Sequence, residues 1–404
     1  MWSGPFAFLW FEWRGDVIDR LGMGGDIERQ RDVVRWTILV FVAINSMVLS
    51  RHVTGDWSFF VRVGQAMWDG DGLTVYATRP NVQSGPVSLV AISVLNSLGF
   101  SSWTALSFLF GALGLAVCGR LHRLAQSNGS ISSTGQGEGM FVIGATVMLF
   151  WWTYFRISGH LDDALVVSGA VVAVDLVLRN RRLGAAALIG LTLAIKPWAV
   201  FLLPLTIRPG GSWPRRLLPP LVSLFVGGAI WGPFILADLK TLDGIKPIVR
   251  LAPDAALRML GIAADDVGSS VRVLQLVGAL VVVGWFAMRG RYAAGILSGF
   301  AVRLLFDPAT WEYYSTGMVT AALLFDIVES KRRLPVATLL TTIFLAPVWV
   351  VPSADARASL RFAGCIMTIL VVWWTTRKRS ADELDAQPGL VPAGLGREAV
   401  DCPT

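Results

Sequence analysis

The chain has 404 residues, 54% of them hydrophobic and 16% charged, with a mean hydropathy of +0.59 and a formal net charge of +7. So little charge cannot cover a water-soluble surface, and the apolar residues recur in runs of about 15 to 22 rather than in one core, which excludes an ordinary soluble domain. Closed membrane barrels need short alternating segments, so the composition points to an all-α polytopic membrane protein.

The first 34 residues mix aromatics with Glu12, Asp16, Asp19 and several arginines and lack the uninterrupted apolar core of a cleavable signal. They are expected to form a cytoplasmic segment, with Phe6 to Trp13 resting on the membrane surface. Residues 35–376 are then the membrane domain, and the polar residues 377–404 a disordered cytoplasmic tail. Basic clusters recur at Arg120 to Arg123, Arg179 to Arg182, Arg208 to Arg216, Arg289 to Arg291, Lys331 to Arg333 and Arg377 to Arg379. The positive-inside rule places each of these turns, and both termini, in the cytoplasm. Because the basic residues are scattered in this way, the positive charge reads as membrane orientation and not as nucleic-acid binding. Cys118 and Cys365 fall in apolar runs and Cys402 in the tail, with no spacing that suggests a disulfide or a metal knuckle.

The connections at roughly 51–102, 157–162, 237–271, 306–314 and 352–358 then face outward. In the first of them, Trp57, Phe60, Val61, Gly64, Met67 and Trp68 share one helical face, which predicts a membrane-lying helix over Trp57 to Trp68. Pro86 to Gly99, about 14 residues, is too short to span and reads as an interfacial or re-entrant helix. Between Ala185 and Ile207 the pair Lys196-Pro197 interrupts the apolar run. A hairpin of two short helices turning there keeps the Arg208 to Arg216 cluster inside, whereas a single span exports it. The expected total is about twelve crossings, with no soluble domain and no internal repeat.

Four outward places collect the polar residues. Asp56 follows the first span, where its partly desolvated carboxylate could serve as a general base; the competing reading is a helix N-cap for the Trp57 helix. Arg156-Ile157-Ser158-Gly159-His160-Leu161-Asp162-Asp163 offers His160, Asp162 and Asp163 to a substrate hydroxyl. One imidazole and two carboxylates form no diagnostic metal spacing, and Asp162 could instead cap the next helix, so no metal cofactor is expected. Lys196 and Arg303 are candidates for holding a phosphate, with helix pairing of Lys196 and an Arg303–Asp307 ion pair as alternatives. The run Phe306-Asp307-Pro308-Ala309-Thr310-Trp311-Glu312-Tyr313-Tyr314 sets Asp307 and Glu312 among Trp311, Tyr313 and Tyr314, a mixture suited to a sugar and equally to an interfacial aromatic belt. No glycine-rich nucleotide loop is present.

These features together resemble a known group. The early outer acid Asp56 with interfacial helices after it, Gly159-His160-Leu161-Asp162-Asp163-Ala164-Leu165, Gly190-Leu191-Thr192-Leu193-Ala194-Ile195-Lys196-Pro197 with Leu203-Pro204, and Asp307-Pro308 are similar to the GT-C fold glycosyltransferases that use polyprenyl-phosphate sugars. The likeness is to the actinobacterial glycosyltransferase family 87, which includes α-mannosyltransferases, and covers roughly residues 35 to 376. The late motif departs from that pattern, with Asp307-Pro308 and Tyr313-Tyr314 where relatives carry Ser-Pro and His-His. The resemblance implies a plasma-membrane enzyme of the cell envelope, acting on its outer face. Its donor is a polyprenyl-phosphate sugar, mannosyl or arabinosyl, its acceptor a lipid or glycan hydroxyl, and its base Asp56, with inversion. A lipid-linked-sugar transporter or flippase is the competing class. It calls for polar residues distributed through the membrane, an inverted repeat and access from both sides, and the chain shows neither the repeat nor a cytoplasmic-side acid cluster.

Overall fold

The computed structural model describes residues 24–49, 55–132, 135–209, 212–245, 249–262, 266–330, 332–346 and 350–385. The amino-terminal surface segment around Phe6 to Trp13, Cys402 and residues 386–404 lie outside them. The described chain is helical throughout apart from one antiparallel pair of two-residue strands, β1 (Val249–Arg250) and β2 (Asp266–Val267). In chain order the helices are α1 (Gly24–Leu49), α2 (Gly55–Asp69), α3 (Val75–Thr78), α4 (Pro86–Ser97), α5 (Trp103–Ser127), α6 (Glu138–Ser158), α7 (Leu161–Leu178) and α8 (Arg182–Ile195). After a 3₁₀ helix, Pro197–Thr206, come α9 (Trp213–Ala237), α10 (Ser269–Ala287), α11 (Tyr292–Leu305), α12 (Glu312–Phe325), α13 (Val336–Leu345) and α14 (Ala354–Asp385). Two boundaries differ from expectation. The first helix begins at Gly24 and not near residue 35, and α14 continues through the first nine residues of the expected tail.

Five described helices are long and apolar enough to cross a membrane: Trp103–Ser127, Glu138–Ser158, Trp213–Ala237, Ser270–Ala287 and Ala354–Arg377. Five further apolar helices are shorter, 10 to 14 residues. The molecule is thus a membrane-embedded helical protein that sorts its helices by exposure. Helices α7, α11 and α12 are buried on every side, and Trp151, Trp152 and Phe155 of α6 pack fully buried beside them. Helix α9 lies outside and turns Phe225 (76% exposed) and Leu236 (86%) outward. Large apolar side chains on an outer helix match a lipid solvent and not water.

The interruption at Lys196-Pro197 is a hairpin. Lys196 is extended (φ −155°, ψ 121°), as the residue before a proline favours, and the chain returns as 3₁₀ helix with Pro197 at its first position and Pro204 inside. Arg182 Nη1, at the start of α8, donates to the Ile207 carbonyl at 2.7 Å, so the two arms end side by side. Their lengths agree: fourteen α residues rise about 21 Å and ten 3₁₀ residues about 20 Å.

The outer-loop helices form where the periodicity places them, but α2 does not simply lie on a membrane. Trp57, Phe60, Val61, Val63 and Gly64 are buried in protein, packed largely against α4, while Met67 is half-buried and Trp68 exposed. Helix α4 is pinned at its start by Gly85, whose N–H donates to the Ile195 carbonyl at 2.7 Å. A Cβ on Gly85 would collide with the Ala194 carbonyl, so the approach of α4 to the hairpin tip requires glycine there.

Candidate functional site

Everything in the site hangs on a two-residue turn. Helix α6 ends at Ser158, Gly159 takes the left-handed conformation (φ 73°), and the N–H groups of Gly159 and His160 donate back to the Arg156 and Phe155 carbonyls. The chain then enters α7 at Leu161 with Asp162 and Asp163 in its first turn, where the helix dipole favours negative charge. A Cβ on Gly159 would lie 2.8 Å from both the Cβ and the backbone nitrogen of Trp57, so only glycine lets the start of α2 approach this turn.

That approach brings Asp56 to His160. Asp56 Oδ2 lies 3.3 Å from His160 Nε2, and His160 Nδ1 is 3.2 Å from both Asp162 Oδ1 and Asp163 Oδ2. The imidazole is held in place by Tyr313, stacked on it at 3.9 Å, and by Phe60 at its edge. Burial opposes a charge on this ring, but the Asp162 carboxylate and hydrogen bonds to Asp162, Asp163 and Asp56 outweigh it and raise His160 from 6.5 to about 10. At neutral pH it is an imidazolium, unable to accept a further proton. Asp56 occupies the first turn of α2 and not the N-cap, and its side chain is 55% exposed from the protein.

Beyond the histidine the network continues into the hairpin tip. Lys196 Nζ reaches Asp162 Oδ2 at 2.8 Å and pairs also with Asp163. Ser84 donates to Asp162, Trp198 Nε1 donates to Asp163 Oδ1 at 3.2 Å, and Asp162 Oδ1 accepts the Asp163 N–H at 2.8 Å. The His160, Asp162 and Asp163 ligand atoms lie within 4.8 Å of one another, close enough for a metal ion. Lys196 already supplies the positive charge both carboxylates need, and a cation added beside its ammonium and the imidazolium would meet two like charges.

Lys196 and Arg303 line one open pocket that encloses about 740 Å³ including its mouth, together with Arg272, Gln83, Gln275, Trp198, Trp231, Tyr76 and Tyr314. Arg303, in the last turn of α11, is sandwiched between Trp198 at 4.2 Å and Tyr314 at 4.3 Å. Asp307 is outside the pocket lining. Its Oδ1 accepts from the Ala309 N–H and from Arg272, and its Oδ2 accepts from Gln275 and pairs with Arg303 at 3.8 Å. The expected Arg303–Asp307 pair therefore exists, and Asp307 positions two pocket arginines.

The polar places predicted from sequence converge, but not all of them on the pocket. Asp56 and His160 do not line it; they reach it through Asp163 and Lys196. Tyr313 presents its face to His160, and Tyr314 lines the pocket while presenting its face to Arg303. Trp311 is 58% exposed, and Glu312, partly exposed beside Arg361, is outside the pocket lining. Not foreseen were Gln83, Trp198, Trp231, Tyr76, Arg272 and Gln275 of the pocket and Ser84 of the Asp162 network. Arg272 and Gln275 stand three apart at the start of an apolar helix, a spacing that could have marked them. Ser84 and Gln83 carry no such signal.

The described residues between α9 and α10 pack against the connection after α11 and the start of α14. Strands β1 and β2 pair Val249 with Val267, and Leu251, Ala255, Leu257 and Val267 form a small separate core against Phe306. The Ala252 N–H donates to the Pro308 carbonyl at 2.8 Å, and Asp254 is held by Thr310, Arg357 and Arg361. Comparison of the chain with family models, with curated proteins and with solved structures finds no match.

Proposed function

We propose that the protein is a GT-C-type membrane glycosyltransferase that moves a sugar, mannose by the resemblance, from a polyprenyl-phosphate donor to a lipid or glycan hydroxyl at the outer membrane face. The observation that carries this reading is the concentration of Lys196, Arg272 and Arg303 on one pocket, joined through Asp163 and His160 to the exposed carboxylate of Asp56. Each of the three is paired with a buried carboxylate, and their charge-assisted donors in a partly enclosed pocket suit a phosphate whose charge grows as it departs. A lipid-borne donor suits a pocket set among lipid-facing helices. The sequence resemblance joins these into one reaction, and the same arrangement serves mannosyl or arabinosyl donors.

In that reaction the acceptor hydroxyl approaches from the exposed side of Asp56, which takes its proton. The oxygen's electron pair attacks the anomeric carbon from the face opposite the phosphate. The carbon–oxygen bond to phosphate breaks, its electron pair stays on the phosphate oxygen, and the developing charge faces the pocket cations. A β-linked donor then gives an α-linked product and polyprenyl phosphate. His160 already holds its proton, so among the linked groups the accessible base is Asp56, and the imidazolium beside it fixes the carboxylate's direction.

The donor half of this proposal is tested by binding. Polyprenyl phosphate without a sugar should bind the purified protein, and Arg272→Gln, a change at the rim, should weaken binding roughly 10- to 100-fold, the range for a lost charge-assisted hydrogen bond. Equal affinity in the variant would remove the pocket as the phosphate site.

A further inference from the structure

We infer that the end of the molecule opposite this site carries a second site, for the phosphate headgroup of an anionic membrane lipid. The two ends are set by α11, which runs from Arg291 at its N-cap to Arg303 at the first site, about 20 Å along the axis. At the Arg291 end an open pocket encloses about 680 Å³ including its mouth, with Arg291 and Arg332 on its wall, Thr375 and Thr376 beside them, and Phe325 and Trp374 as apolar lining. This pocket uses none of the residues of the first site and does not depend on the proposed reaction.

Two acids stand beside the arginines, Glu329 in the pocket wall and Asp326 within reach of the Arg332 charge, and each also holds a helix start. Glu329, nine-tenths buried at the pocket, accepts the Ala294 N–H at 3.0 Å in the first turn of α11. Asp326 accepts the N–H groups of Ala337 and Thr338 and the Thr338 hydroxyl at the start of α13. The guanidinium groups, brought from two separate turns, are the cationic side of the pocket. A bidentate guanidinium matches a phosphate, and basic pockets between spanning helices suit anionic headgroups.

A track for the tail adjoins the headgroup pocket. Met367, Leu370 and Trp374 of α14 are 47%, 51% and 55% exposed and stand three and four residues apart, which places them on one face ending at the pocket. A phosphate held by Arg291 and Arg332 can therefore lay an acyl chain along that face. A soluble phosphate ester would use the arginines alone, and the apolar stripe is what favours a lipid.

The test uses the purified full chain in a neutral detergent, with the melting temperature read while phosphatidylglycerol, phosphatidylcholine or glycerol 3-phosphate is added. Phosphatidylglycerol should raise the melting temperature saturably, with an apparent Kd at least roughly tenfold weaker in Arg332→Gln, whose arginine is exposed, and weaker also in Trp374→Ala. Phosphatidylcholine, whose phosphate is balanced by choline, should do far less, and so should tail-free glycerol 3-phosphate. Equal stabilisation by phosphatidylcholine, or an unchanged Kd in Arg332→Gln, would overturn the site. A full response to glycerol 3-phosphate would make it a soluble-anion site and overturn the lipid assignment.

Discussion

At the residue scale the site works as a chain of alternating charges, Asp56, His160, Asp162 with Asp163, and Lys196, each within contact distance of the next. His160 is its pH-sensitive member. Its folded pKa of about 10 lies above the ordinary 6.5, so its stabilising contribution is complete below about 6.5 and is lost as pH rises through about 10. The melting temperature of the wild type should fall across that alkaline window, and that of His160→Gln should fall less. Parallel curves would mean that the ring is not charged. Lys196 is the counter-ion of two buried carboxylates, so Lys196→Met should destabilise the protein by about 3–5 kcal/mol, read by thermal or denaturant unfolding. Asp56, His160, Asp162, Asp163, Lys196 and Arg303 were legible as candidates because a charge beside an apolar run needs a partner. What single residues could not reveal was which partner. Asp307 and Tyr313 look like sugar contacts in sequence, yet the fold uses them to hold Arg303 and His160.

At the scale of elements, two short devices place those side chains. The Lys196-Pro197 hairpin was legible because proline sets both the extended residue before it and the missing N–H groups that leave the returning arm as 3₁₀ helix. The Gly159-His160 turn was legible as a loop, but its tightness depends on the approach of Trp57, about a hundred residues away, which local propensity cannot encode. Gly159→Ala should therefore act twice, through left-handed strain of roughly 1–2 kcal/mol and through collision with Trp57. The expected result is a lower melting temperature together with loss of the Asp56–His160 contact, measured as a transfer defect that persists at temperatures where the variant is folded. Full activity in a folded Gly159→Ala protein would show that this approach is not needed. The strands Val249–Arg250 and Asp266–Val267 were not legible, since each is two residues long and their register comes from pairing with each other, with the Ala252–Pro308 contact beside them.

For the whole molecule, hydropathy carried the class, because helix burial and lipid exposure are both written in composition. Arg182 joins Ile207 and Tyr292 at one end, and Asp56, His160, Lys196 and Arg303 gather at the other. About twelve crossings were expected from apolar runs and basic turns, and five described helices have the length and composition to cross. The shorter helices include the paired arms around Lys196, and a count of runs cannot distinguish such arms from spans. The central claim joins both ends of the charge chain in one reaction. Its most direct test is to incubate the purified protein in lipid nanodiscs with sugar-labelled β-mannosyl polyprenyl phosphate and an acceptor-lipid extract, and to follow the label. The account predicts label moved into α-linkage on acceptor lipid with release of polyprenyl phosphate, slowed about 10²- to 10⁴-fold in Asp56→Asn while donor binding is kept. Label that stays on the donor, or that moves equally fast in Asp56→Asn, would contradict it.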